Sequence, residues 1–458
     1  MNHRTGSLKI NKVPLFLGMF IALLSASCVG ISQEVEPPQT IESTPLPPTQ
    51  PPPETAEPQS PTAQVQDTEE PASPTAEPAK EVEPTEEPAA EASEEPTEEA
   101  ADEPGEEMAG TAVVPFDLGQ FTLLQDGVPE QLREMPVELQ GLIAVPPEGD
   151  NLPLAVVIHG SHGVGCPVVD DFFQEWPCPE HETKHYGGFD YLLEALAERG
   201  YAAISINANS TFVSAFGEPD SNARLVTLVD LYLSQVAAAN NGEPVDFGVD
   251  LGGRIDLNTL VILGHSASGQ GAGWVVGSRA GNDSPEQIAA GEGPFSAAFL
   301  LAPVPSNLPE DGLAIPFAVL LPSCDEDVAD LGGQSYYEAA RQSEMREDVA
   351  LSVYLRGANH TRFNTLLSDE GLAEASTSCV DALLSTAEHQ DFLAEFAGSF
   401  FDDALGRGDG DLAAIGLDAG QPAPSELLGQ QVLTSLALPA DQRSVLPLAD
   451  GQVNGDVS

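Results

Sequence analysis

The residues best suited to chemistry gather on one serine. Leu260-Val261-Ile262-Leu263-Gly264-His265-Ser266-Ala267-Ser268-Gly269 carries an apolar strand into a G-x-S turn and on into small residues that read as a helix. A strained strand-to-helix turn of this kind exposes a serine hydroxyl above the strand ends, where it can attack a carbonyl carbon. The helix N-terminus behind it favours developing negative charge. Small neighbours are needed because the turn brings strand and helix close together. The usual G-x-S-x-G pattern has Gly two residues after the serine. Here Ser268 stands there and Gly269 comes one later, which implies some strain at the turn.

A serine hydroxyl needs a base to take its proton, and the base needs an acid to orient it. Two later apolar runs end in suitable residues. Phe317–Leu321 leads into Pro322-Ser323-Cys324-Asp325-Glu326-Asp327-Val328, and Leu351–Leu355 leads into Arg356-Gly357-Ala358-Asn359-His360. The order Ser266, Asp325, His360, each after a strand, is the nucleophile–acid–base order of one large class of serine hydrolases. His360 is the expected base and Asp325 the expected acid. Asp327 is the rival acid, and Glu310 or Asp311, after the preceding strand, are weaker candidates. An oxyanion hole needs two backbone N–H groups. One is expected from Ala267, directly after the nucleophile, and the other from Ser161, in the His159-Gly160-Ser161-His162-Gly163 loop that follows Leu154–Ile158. His159 reads as a structural residue that holds this loop by a hydrogen bond.

A second motif competes. His181-Glu182-Thr183-Lys184-His185 matches H-E-x-x-H, which binds zinc when a helix puts both histidines on one face. Pro177 and Pro179 precede it, Gly187-Gly188 follow, and no third ligand stands out downstream. The motif reads as a solvated loop, and no metal is expected.

These residues need a frame. Short apolar runs at Leu154–Ile158, Ala202–Ile206, Leu260–Leu263, Ala297–Leu301, Phe317–Leu321 and Leu351–Leu355 read as buried parallel strands, covered by helices on both faces. Helical patterns lie over Phe189–Arg199, Ala223–Ala239, Gln334–Ser343 and Ala387–Leu405, and Val137–Val145 fits an initial antiparallel strand. The alternation predicts an α/β fold with a doubly wound, mostly parallel sheet, over residues 112–405. Residues 406–458 carry Gly, Pro and scattered apolar residues, and either a small appendage or a tail is open.

The N-terminus reads as an export signal. Arg4, Lys9 and Lys12 precede an apolar stretch from Val13 to Ala26, too short to span a membrane. Ser25-Ala26-Ser27-Cys28 resembles a bacterial lipobox, with Ser25 where a leucine is usual. The expectation is a signal over 1–28 with Cys28 lipidated, which puts the protein outside the cytoplasm on a membrane anchor. Residues 29–111 form a Pro/Glu/Thr-rich segment. Its stretch 34–110 holds 22 acidic residues, one lysine and no aromatics. Such a composition buries too little apolar surface to offset its ordering entropy, so it reads as a disordered stalk. The other four cysteines, Cys166, Cys178, Cys324 and Cys379, are expected as disulfides in an oxidising compartment. Three pairings are possible, and sequence closeness favours Cys166–Cys178, leaving Cys324–Cys379.

The chain carries 73 acidic and 16 basic residues, a formal charge of -57. That excludes nucleic-acid binding through the phosphate backbone and unaided docking on an anionic membrane. Lysine is nearly absent past the stalk, with Lys184 alone. Such a surface suits either salt adaptation or plain solubility.

Taken together, Leu139–Pro146, the His159–Gly163 loop, Gly188-Phe189-Asp190-Tyr191-Leu192, the Gly264–Gly269 turn, Cys324–Val328 and Gly357–His360 resemble the α/β-hydrolase superfamily. The likeness is to its secreted bacterial esterase and lipase-like branch, near chlorophyllases, platelet-activating-factor acetylhydrolases and polyester-degrading enzymes, and it covers about 115 to 405. The resemblance implies hydrolysis of small-molecule or polymeric carboxylic esters through an acyl-enzyme, with no metal or organic cofactor. A peptidase or polyester depolymerase on the same triad, and an inactive binding module of the same fold, are the alternatives. Oligomeric state is not legible.

Overall fold

A computed structural model describes residues 111–124, 133–161, 176–178, 182–213, 221–305, 313–367, 379, 382–407 and 412–443. Cys28, the signal and the stalk therefore lie outside the described residues, as do His162, Gly163, Cys166, His181, Glu310 and Asp311.

Ten strands form one sheet. They are β1 (Val113–Leu124), β2 (Glu134–Ala144), β3 (Leu152–Ile158), β4 (Ala202–Ile206), β5 (Ile255–His265), β6 (Phe295–Leu301), β7 (Phe317–Pro322), β8 (Ala350–Leu355), β9 (Glu426–Leu427) and β10 (Gln430–Ala437). The order across the sheet is β1-β2-β4-β3-β5-β6-β7-β8-β10-β9. The six strands from β4 to β8 pair in parallel. Antiparallel pairs flank them, β1 and β2 on one side and β10 and β9 on the other.

The helices are α1 (Asp190–Glu198), α2 (Ser221–Asn240), α3 (Ala267–Arg279), the short α4 (Pro285–Ala289), α5 (Gln334–Gln342) and α6 (Thr386–Ala404). They cover both faces of the parallel strands, so successive strand residues enter different cores. Leu260 and Ile262 of β5 join Leu228 of α2, Val275 of α3 and Tyr336 of α5, whereas Val261 and Leu263 join Leu192 of α1 and Phe396 of α6. A strand buried on both faces must be apolar at every position, which is why these runs do not alternate. On the second face Phe299 of β6 packs edge-on against Phe396 and Phe400, with ring centroids 5.2 and 6.1 Å apart. α6 begins on a capping box in which the Ser385 hydroxyl accepts from the Glu388 amide and the Glu388 carboxylate accepts from the Ser385 amide.

Two features of the sheet position the chemistry. The chain leaves β3 for β4 on one side and returns to β5 on the other, so β3 and β5 flank a topological switch point. Ligands of open α/β sheets bind outside the carboxyl ends at such points. The register sets these ends level: Ile158 of β3 faces Gly264 of β5, and His265 faces Leu301 of β6. The sheet also extends past residue 405, where the sequence reading ends its domain. β10 pairs with β8 from Val432↔Leu355 to Ala437↔Ala350, and the Arg356 amide donates to the Gln431 carbonyl at 3.0 Å. The strand that leads to His360 is thus interior to the sheet.

Candidate active site

Ser266 stands between the end of β5 and the start of α3. Its backbone has φ 57° and ψ -124°, a sparsely populated combination for a residue with a side chain, costing about 1–3 kcal/mol. Four hydrogen bonds hold it there. The Ser266 amide donates to the Leu301 carbonyl at 2.9 Å, and its own carbonyl accepts from the amides of Gly269, Val304 and Gln270. Close approach accounts for Gly264, where a Cβ would lie 2.1 Å from the Ser268 carbonyl oxygen. Ser266 is nearly buried, and Ala267 opens the first turn of α3, where helical amides have no intrahelical acceptor.

The expected acid and base, Asp325 and His360, stand in the loops after β7 and β8. The Nδ1 of His360 lies 3.0 Å from the Asp325 Oδ2, with both side chains buried. The other Asp325 oxygen accepts from the amides of Asp327 and Val328, at 3.0 and 2.7 Å. A carboxylate fixed in this way makes Nδ1 the donor and leaves Nε2 as the basic atom of the neutral ring. Burial pulls the His360 pKa down. The hydrogen bond and charge of Asp325, with Asp327 and Glu326 adding to them, carry it above its ordinary value. Burial also raises the Glu326 carboxyl, and the charge of Asp325 adds to that shift. Of the two rival aspartates, Asp325 therefore meets Nδ1, whereas Asp327 lies on the opposite edge of the ring, its Oδ2 3.5 Å from Nε2.

The two loops are zipped together. The Cys324 amide donates to the Ala358 carbonyl at 2.8 Å, the Ser323 amide to the Leu355 carbonyl at 2.9 Å, and the Gly357 amide to the Ser323 hydroxyl at 2.8 Å. Cys324 and Cys379 form a disulfide with Cα atoms 5.2 Å apart, which ties the Asp325 loop to the segment following His360. Cys178 is also disulfide-bonded.

His159 follows β3, buried, with its Nδ1 donating to the Gly160 carbonyl at 2.8 Å and its Nε2 accepting from the Ala208 amide at 2.9 Å. Burial, helped by the nearby His185 ring, lowers its pKa to about 3. It is a neutral strut, as its place in the sequence suggested. Ser161, the expected second oxyanion donor, is exposed.

Three supports were not legible in the sequence. The Ser268 hydroxyl, buried, donates to the His159 carbonyl at 2.6 Å and so joins α3 to the loop after β3. His265 donates from Nε2 to the His360 carbonyl at 3.0 Å, and the two rings pack with centroids 4.8 Å apart. His389 of α6 accepts the Asn359 amide on Nε2 at 2.9 Å while its Nδ1 meets the Ser385 carbonyl at 2.8 Å. His265 and Ser268 lie inside the recognised turn, but their partners are 95 and 109 residues away.

The H-E-x-x-H segment is not one helix. Glu182 to Lys184 precede a 3-10 turn over His185–Phe189. The Glu182 Oε1 accepts from the side-chain amides of Asn207 and Asn209, each at 2.8 Å. Among the described residues no group of three or more His, Cys, Asp or Glu could hold a metal ion.

No family model and no curated protein matches the chain.

Proposed function

We propose that this chain is a serine hydrolase of the α/β-hydrolase fold that cleaves carboxylic esters through Ser266, His360 and Asp325. The observation that carries the reading is the pairing of a strained serine at a strand-to-helix turn with a buried Asp325–His360 couple that packs on the residue before it. The mostly parallel sheet, the switch point between β3 and β5, and the Ser–Asp–His order support the fold assignment.

The chemistry follows from these groups. His360 Nε2 takes the Ser266 proton as Oγ bonds to the ester carbonyl carbon, and the carbonyl π pair moves onto oxygen. The Ala267 amide, with Ser161 as the second expected donor, would stabilise that oxyanion. As the carbonyl reforms, the bond to the alcohol oxygen breaks, and His360 hands its proton to the departing alcohol. Water, deprotonated by the same nitrogen, then attacks the acyl-serine and releases the acid. Asp325 keeps Nδ1 protonated and stabilises the imidazolium throughout.

Hydrolysis of a p-nitrophenyl acyl series by the full chain, with Ser266→Ala beside it, tests the reading. Turnover by wild type that falls to background in Ser266→Ala is expected. Equal turnover by the two proteins, or none by a folded wild type, removes it.

The signal-like start and Cys28 support a second part of the reading, an exported enzyme anchored by lipid and working just outside the cell membrane. Fractionation of cells expressing the chain should find wild type with membranes and Cys28→Ala released. Equal distribution of the two would remove the anchor.

A further inference from the structure

Asp327 has no part in the steps above, yet it lies where the reaction must pass. Nε2 of His360 is the atom that delivers a proton to the leaving alcohol, so that alcohol oxygen must come within hydrogen-bond reach of it. The Asp327 Oδ2 already lies 3.5 Å from the same atom, and its side chain is 62% exposed. The Asp325 side chain is only 2% exposed and sits behind the ring on Nδ1. Asp327 is therefore the carboxylate that faces incoming substrate. Its place is fixed by backbone, because its amide donates to Asp325 Oδ1, the partner of the oxygen that binds His360. The acid that orients the base thus also fixes a second negative charge on the leaving-group side.

We propose that Asp327 is a specificity-determining residue that favours esters whose alcohol portion carries a positive charge and disfavours those whose alcohol portion carries a negative one. The inference rests on the ester-hydrolase reading and deepens it. A substituent on the bound alcohol lies one contact beyond Nε2, about 5–7 Å from the Asp327 carboxylate. A unit charge at that distance from a largely exposed carboxylate, with an effective dielectric constant of about 40–80, changes a rate by roughly three- to tenfold. Opposite charges on two otherwise similar alcohols compound the effect, and salt weakens it.

The test measures kcat/KM by pH-stat for three acetate esters: acetylcholine, its neutral isostere 3,3-dimethylbutyl acetate, and 3-acetoxypropanoate. The proteins are full-length wild type, Asp327→Asn, Asp327→Ser as a second neutral variant, and Ser266→Ala. Wild type should prefer the cationic ester, then the neutral, then the anionic. Both Asp327 variants should compress the cationic-to-anionic ratio by roughly ten- to a hundredfold, and added NaCl should compress it in wild type. An unchanged ratio in both variants, or a wild type that prefers the anionic ester, overturns the proposal. Neutral-ester hydrolysis that survives Ser266→Ala would instead bring down the triad reading itself, a distinct result.

Discussion

Ser268 illustrates how much one hydroxyl can do at a site. By pattern alone it is a departure, a serine where a glycine is usual, and strain is the consequence to expect. In the folded chain its hydroxyl donates to the carbonyl of His159, which is itself held by bonds at both ring nitrogens. The strain resides at Ser266, the proposed nucleophile, and Ser268 braces the loop beside it. Replacing Ser268 with Ala or Gly leaves a buried carbonyl without that donor, a loss of about 1–3 kcal/mol. Chemical denaturation should show this loss in both variants. The Ser268→Gly protein, although nearer the usual pattern, should turn over esters more slowly because the proposed oxyanion loop is less firmly held. A Ser268→Gly protein as stable and as fast as wild type would mean that the bond braces nothing. His360 and Ser266 stand out in the sequence because each follows an apolar strand. The supports from Ser268, His265 and His389 were not, because a hydrogen bond across many intervening residues leaves no local pattern.

At the scale of elements, legibility followed burial. The strands covered on both faces appear in the sequence as unbroken apolar runs, and Ala202–Ile206 is the same in sequence and structure. β5 extends beyond its run, Leu260–Leu263, because its first turns lie at the rim, where Asp256 and Asn258 bond to each other. β1 gave no signal: only Phe116 and Leu123 are buried, and Gly119 sits at a break in register with a positive φ of 87°. That irregularity suits an edge, where a long regular strand would invite pairing with another chain. β10 also hid, because an outer antiparallel strand needs few buried residues; Val432 and Ala437 are buried while Leu433 is exposed. Its role is nonetheless close to the chemistry. It covers β8, and the amide that begins the base loop donates to it. The proposed catalytic residues thus stand out more in the sequence than the strand that steadies one of them, since side chains with chemistry are rare and edge strands are composed of common residues.

At the scale of the whole molecule, charge is the dominant feature. Of the 73 acidic residues, 22 lie in residues 34–110, so 51 remain elsewhere, against 12 basic residues from 111 onward. The basic side chains that remain are used for structure. Arg199 joins α1 to Glu395 and Asp402 of α6, and Arg279 bonds Asp230 of α2 and the carbonyls of Gly291 and Gly293. Such pairs neutralise a few acids locally and leave the rest to repel one another. Self-repulsion keeps a protein soluble and opposes its compact state, and dissolved salt screens it over about 10 Å at 0.1 M. NaCl at constant pH should therefore raise the denaturation midpoint in urea well into the molar range, beyond the point at which a charge-balanced protein has ceased to respond. Sucrose serves as the comparison, because it stabilises by exclusion from the surface without screening charge. A steep rise with NaCl and a small one with sucrose would identify a domain tuned to salt. A midpoint that is flat in NaCl would mean that the acids are spaced widely enough not to oppose folding, and solubility would then be their use.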